Sequence, residues 1–441
     1  MTILNTISLE SNKQIKINFS GGDLSSDAGL LLLKEFSAKI GLETLVASTF
    51  KTNDNASFRF HTDPQNLMQV LYQIFGAYFE DDCADELTHD PVMKAVLGKS
   101  SLASQPTLSR FYNRMDGDTL GQMDKLLRKL RNIIYSIKRP EIMLFDLDST
   151  LLDAYGTQEG MAFNYHYQSE GYHPLVCYDG MTGDLLKIDL RSGAEYTSKG
   201  ISAFIQPLFD EFLEQYPDVH LFLRGDSGFA TPELYTACET HGTSYAIRLK
   251  QNNTLMREAS YLDEELFEIT RINAIDYAVV YGEFEYQAGT WDYPRRVVCK
   301  VEKPNGQINH LFTFVVTNID ASPEDIIRFY CKRGLMENFI KECKNEFDFA
   351  SVSSHTMQVN ANRLQIHALA YNIFNWFRRL VLPVKMRKMR ADTIRLKLLK
   401  IATKAVRSAR YMIFKLCSSC PYKDEFYETL RNIKNLSPQL E

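Results

Sequence analysis

The chain has 441 residues, 45% of them hydrophobic, 12% aromatic and 24% charged, with a formal net charge of −5 at pH 7. This composition excludes a disordered chain and a uniformly basic polyanion binder, and no apolar run approaches the ~20 residues of a membrane-spanning helix. The opening "MTILNTISLESNKQ" lacks the basic segment and long apolar core of a secretory signal, so cytoplasmic residence is expected. Eight cysteines are scattered, and only Cys417 and Cys420 form a C-x-x-C pair. With no second pair or histidine pair nearby, reduced thiols are expected there rather than a zinc site.

Residues 25–140 read as mostly helical. "LSSDAGLLLLKEFSAKIG" opens on serine and aspartate caps and closes on a glycine, and "DPQNLMQVLYQIFGAYF" carries a second apolar face. In "LASQPTLSRFYNRM" a helix starts at Ser104 or Gln105 with Pro106 in its first turn. Thr107, Arg110 and Arg114 then lie near one face, the shape of a short DNA-recognition helix and equally of an ordinary structural one.

From residue 141 the pattern turns to strands. "EIMLFDLD" is a buried strand, and "HPLVCYDG" and "DLLKIDLRSG" should pair as a hairpin across "DGMTGD". A helix over 199–215 follows, then the strand in "VHLFLRGDSGF", a helix from Thr231-Pro232-Glu233 and the strand "SYAIRLK". Residues 251–320 read as β-rich and irregular, with strands in "YAVVYGEFEY", "RRVVCKVEK" and "HLFTFVVTNI". Trp291 in this stretch is either a base-stacking residue or part of the β core. Ser322, Pro323 and Asp325 then start one long helix through "EDIIRFYCKRGLMENFIKECKNEF". From about 360 onward the reading is helical and increasingly basic. Residues 378–415 hold thirteen Lys or Arg, among them Arg387, Lys388 and Arg390, against the single acid Asp392. Such a block is a candidate phosphate-binding surface, because each cation that replaces a condensed counterion gains entropy.

Two places carry chemistry. In "MLFDLDSTLLD" the carboxylates of Asp146 and Asp148 share one face of a strand, which points to a divalent metal. The D-x-D-x-T string resembles the first motif of haloacid-dehalogenase-type phosphatases, with Asp146 as nucleophile, while D-x-T alone resembles the first acidic motif of RNase H-like transposases. On the long helix, Tyr330, Arg333, Glu337 and Lys344 stand at i, i+3, i+7 and i+14, within roughly 60° of one another on a continuous helix, with Lys341 beside them. A solvated face with Glu–Lys ion pairs is the plainer reading of any one such pair.

The full spacing resembles the Tyr-Arg-Glu-Lys signature of DDE transposases of bacterial insertion sequences. "FDLDST" and "LRGDSGF" then resemble that family's two aspartate motifs, 251–320 its inserted β-rich segment, and "GAYFEDDCADELTHDP", "ASQPTLSRFYNRM" and "LQIHALAYNIFNWFRRL" the strings of one subgroup. The likeness spans nearly the whole chain and is least distinctive over the last twenty residues.

The resemblance implies an α/β fold with an RNase H-like core, a mixed five-stranded sheet flanked by helices. Around it come a helical DNA-binding region over 1–140, core segments over 141–250 and 321–360, the insertion over 251–320 and a basic helical region over 361–441. It implies Asp148, Asp226 and Glu337 as catalytic metal ligands for two Mg²⁺, with Mn²⁺ able to substitute. Asp226 follows Asp148 by 78 residues and Glu337 follows Asp226 by 111, the longer gap holding the insertion. Tyr330, Arg333, Lys341 and Lys344 would contact DNA, and Asp146 would be a helper held by Arg224 or a lysine. The implied activity is cleavage and strand transfer at terminal inverted repeats by a homodimer bound to repeat and target DNA. Rival readings are an RNase H-like nuclease without strand transfer, the phosphatase and a non-catalytic DNA-binding protein.

Overall fold

The computed structural model describes residues 6–273 and 275–440. The chain divides into two compact units, one of residues 1–137, 346–348 and 365–441, the other of residues 138–345 and 349–364. Among the described residues no helix is long and apolar enough to cross a membrane.

The second unit is built on a single eight-stranded sheet. Its strands are β1 (Ile142–Ser149), β2 (Leu175–Asp179), β3 (Leu185–Asp189), β4 (His220–Gly225), β5 (Ser244–Leu249), β6 (Ala278–Tyr286), β7 (Arg295–Lys303) and β8 (Leu311–Thr317). They lie in the order β6-β7-β8-β5-β4-β1-β2-β3. β4 runs parallel to both β1 and β5, whereas β2 is antiparallel to β1 and pairs with β3 in the expected hairpin. Buried apolar runs such as Met143, Leu144 and Phe145 suit strands covered on both faces. Helices α1 (Ile201–Gln215) and α2 (Pro232–Thr240) connect β3 to β4 and β4 to β5. Phe145 meets Phe209 and Phe212 of α1 edge to face.

Three features of this unit depart from the sequence reading. The β-rich stretch does not stand apart: β8 pairs antiparallel with β5, so its three strands belong to the same eight-stranded sheet as the other five. Helices at Asn253–Glu258 and Ser260–Asn273 precede those strands, because Leu262 and Leu266, one turn apart, bury a stripe while the acids face solvent. The long helix is also broken, into α3 (Pro323–Cys331) and α4 (Gly334–Glu346). Gly334, a weak helix former, opens the second piece, and Arg333 donates its backbone N–H to Tyr330 O across the turn.

In the first unit, helices Leu30–Lys39, Leu42–Thr49, Asp63–Phe75, Pro91–Leu97, Gln105–Tyr112 and Gly117–Ile137 share a core with C-terminal residues, as where Phe36 meets Phe377 edge to face. Asp63–Phe75 is held by a capping box between Thr62 and Gln65. Residues 403–416, read as helical, instead form a hairpin of Thr403–Arg407 and Met412–Leu416, which pairs with Leu24–Ser25.

Candidate active site

The parallel register between β1 and β4 settles what the two aspartates of "DLD" do. Asp146 lies beside Arg224, and two residues further along each strand come Asp148 and Asp226 at the adjacent C-terminal ends. Asp146 is 0% exposed, and both its oxygens accept from Arg224, at 2.7 Å from Nε and 2.6 Å from Nη2. Arg224 also donates from Nη1 to Phe329 O and lies over the Phe329 ring. A carboxylate so enclosed cannot attack a substrate, which removes the phosphatase reading of Asp146. It ties β1 to β4 and to the end of α3.

Asp148 emerges into a different setting. Its Oδ2 lies 3.0 Å from Arg333 Nη2, which also donates to Leu147 O, and its Oδ1 accepts from the Ser149 amide. Burial pushes its carboxyl up to about 6; Arg333 pulls it down, while the charges of Asp226 and Glu337 raise it further. Asp226 caps a short turn, Ser227–Phe229, by accepting from the Gly228 amide at 2.8 Å. The negative charge concentrated here exceeds what one arginine offsets.

The break between α3 and α4 places Arg333. Ile326, Ile327 and Tyr330 of α3 pack on Ala246, Val298 and Val315 of the sheet. On α4, Phe339 contacts Tyr178 of β2, whose hydroxyl donates to Cys343 Sγ. Both helices are thereby anchored, and the turn between them directs Arg333 onto Asp148. Its Nε is buried without a hydrogen-bond partner, leaving one donor for a further group.

The four-residue stripe is accordingly not presented as one face. Tyr330 is buried, and burial raises its phenol. Lys344 donates from Nζ to Leu151 O, and burial lowers its ammonium. Only Glu337 and Lys341 face solvent; the Glu337 side chain is 64% exposed, with Lys341 Nζ 3.8 Å from its Oε2.

Sequence reasoning missed Tyr167. It follows a three-stranded ribbon segment, Ala162–Asn164, which pairs with Ser169–Tyr172 between β1 and β2. Asn164 accepts from the His166 and Tyr167 amides, holding the turn, and the Tyr167 hydroxyl donates to Ser149 O beside Asp148. Burial and the charges of Asp148 and Asp226 push that phenol to about 12. No local motif marks it; its position comes from a long-range hydrogen bond.

Trp291 lies in the β core, the second of its two sequence readings. It is 6% exposed, edge-on to Tyr235 and Tyr286 and beside Arg295, so neither ring face is open to a base. In the first unit, Arg110 is exposed on its helix, but Arg114 is bound to Asp63 at 2.7 Å. Arg387 and Lys388 are exposed, with Arg387 donating from Nε to Leu382 O. Arg390 instead pairs with Glu346, whose side chain is 0% exposed and which also accepts from the Asp392 amide. Arg390 therefore has a structural partner that the basic-block reading did not include.

Among the described residues, no three His, Cys, Asp or Glu side chains stand close enough to enclose a metal ion. The donor chemistry nonetheless fits Mg²⁺, which is commonly held by one or two carboxylates completed by water and substrate phosphate. Asp148 and Asp226 offer oxygen ligands from neighbouring strand ends, and a divalent charge would offset the burial and the like-charge repulsion that together raise Asp148.

The family description "Transposase DDE domain group 1" matches residues 7–438. A cryo-EM structure of the piggyBac transposase synaptic complex with hairpin DNA is similar at 13% identity and a TM-score of 0.43, over 94% of this chain and 86% of that one. No curated protein matches.

Proposed function

Since the chain belongs to the transposase DDE domain group 1 family, we propose that it cleaves DNA at the terminal inverted repeats of a bacterial insertion sequence and transfers the freed ends to a target. The observation that carries this reading is the juxtaposition of Asp148 and Asp226 at the ends of parallel β1 and β4, with the Glu337 charge acting on the same carboxyl. The strand order supports an RNase H-like core: β3-β2-β1-β4-β5, with β2 antiparallel to β1 and β4 and β5 parallel to it.

In this reading Asp148, Asp226 and Glu337 hold two Mg²⁺, or Mn²⁺ in its place. When bound, the ions supply Lewis-acid charge at the scissile phosphodiester and its leaving oxygen. The protein's own groups do the positioning. Arg333, held by Asp148 and Leu147 O, keeps one buried donor for a phosphate oxygen. Lys344 and Tyr330 line the same helix pair, as the Tyr-Arg-Glu-Lys group requires, and Lys341 stands at its exposed edge. Arg110, Arg387 and Lys388 extend the DNA contact outside the site, and two copies of the chain bring two ends together.

The test is cleavage of end-labelled DNA carrying the gene's flanking repeats. Asp148→Ala, Asp226→Ala and Glu337→Ala should each abolish Mg²⁺-dependent cleavage and keep DNA binding. Full cleavage by any one of them contradicts the assignment. Joined products distinguish strand transfer from a nuclease that stops at cleavage.

A further inference from the structure

The thirteen cations of residues 378–415 do not form one surface. Several are engaged within their own unit: Lys385 with Glu425, Arg390 with Glu346, Arg395 with Asp392 and Lys400 with Asp27. Those on the hairpin of Thr403–Arg407 and Met412–Leu416 are not. Among the described residues, Lys404, Arg407, Arg410 and Lys415 make no side-chain ion pair or hydrogen bond, and all four are exposed. Between Asp392 and Asp424 the sequence has no acid that could reach them locally.

The register adds a second, independent observation. Lys404 lies directly opposite Lys415 across the two strands, so both ammonium groups project from the same face. Like charges so paired destabilise a hairpin, and no described carboxylate forms an ion pair with either ammonium. The base of the hairpin is anchored by pairing with Leu24–Ser25, while residues 407–413 are exposed throughout, including Tyr411, Met412 and Ile413. A two-stranded ribbon has the width that the major groove of B-form DNA admits, and its flanking phosphates supply the missing negative charge.

We propose that the 403–416 hairpin is a DNA-binding arm that lies in the major groove, with Lys404, Arg407, Arg410 and Lys415 on the flanking phosphates. This rests on duplex DNA being the substrate. It assigns the arm a contact separate from the catalytic residues, and it divides the basic block into cations that hold the fold and cations that hold DNA.

The test uses the full chain and duplex DNA from the gene's flanks, with binding measured over a salt series. Arg407→Ala/Arg410→Ala should reduce the slope of log K against log salt by ~2 and weaken binding at least tenfold at fixed salt. Lys404→Glu separates binding from folding, because the new carboxylate faces Lys415: it should raise the melting temperature slightly while weakening DNA binding. Wild-type protein should protect guanine N7 from methylation in the major groove, and the double variant should lose that protection. Unchanged slopes and footprint in variants of a wild type that binds and cleaves DNA would overturn the arm and leave the transposase reading intact. A wild type that binds no duplex, yet binds phosphatidylserine vesicles through these residues, would overturn the arm as a DNA element; absence of Mg²⁺-dependent cleavage by that same protein would separately contradict the transposase reading.

Discussion

Asp148→Asn should make the protein more stable at neutral pH, although it destroys the proposed catalytic centre. The carboxyl stands at about 6 in the folded chain against an ordinary 3.8, because it is buried and faces the charges of Asp226 and Glu337 with only Arg333 to offset them. The folded chain therefore binds this proton more tightly than the unfolded chain, and the contribution to stability falls as pH rises through 4–6. At 1.36 kcal/mol per pH unit, the charged carboxylate costs up to ~3 kcal/mol above pH 7 and little below pH 4. Between pH 5 and pH 8 the difference between variant and wild type should widen by roughly 1.4 kcal/mol. Paired urea titrations at those two pH values measure it, since the groups not coupled to Asp148 cancel in the difference. A variant less stable than wild type at pH 8, or a difference independent of pH, would refute the electrostatic reasoning.

Four further outcomes follow from the structure. Asp146→Ala leaves the Arg224 guanidinium buried and unpaired, an expected loss of ~3–5 kcal/mol by denaturation, and Asp146→Leu/Arg224→Met should recover most of it. Arg390→Ala should cost about 1–2 kcal/mol by uncovering the buried Glu346 carboxylate. Arg387→Glu/Lys388→Glu should stay within ~0.5 kcal/mol of wild type yet weaken DNA binding and flatten its salt dependence; equal stability losses at 387/388 and at 390 would contradict that division. Trp291→Ala should cost ~3–5 kcal/mol by leaving a cavity between Tyr235 and Tyr286, and fluorescence of a base analogue at the DNA end should be the same with Trp291→Phe as with wild type.

The strands of the second unit were legible in the sequence because each is a short apolar run bounded by turn residues, as "HLFLRG" and "SYAIRL" illustrate. Their register was not, and register decides that Asp146 meets Arg224 while Asp148 stands free to meet Arg333. The interruption at Arg333 was also hidden. The spacing of Tyr330, Arg333, Glu337 and Lys344 suits a continuous helix, and only anchoring of α3 on the sheet and of α4 on Tyr178 shows where the axis breaks. The 403–416 hairpin escaped because Leu24–Ser25 pairs with it from almost four hundred residues away, so no local window holds the reason for its strands. Charge counting found the basic segment but could not tell Arg390, neutralised by Glu346, from Arg407, which has no side-chain partner among the described residues.

The central claim is that carboxylates at 148, 226 and 337 act as metal ligands in phosphodiester cleavage. Replacing one hard oxygen ligand by a softer sulfur tests this directly, since thiolate binds Mg²⁺ poorly and Mn²⁺ better. Asp226→Cys should lose cleavage of flanking-repeat DNA in Mg²⁺ and regain a measurable part of it in Mn²⁺, with DNA binding unchanged in both. Cleavage undiminished in Mg²⁺, or lost equally in both metals while Asp226→Ala still cleaves, would contradict the account.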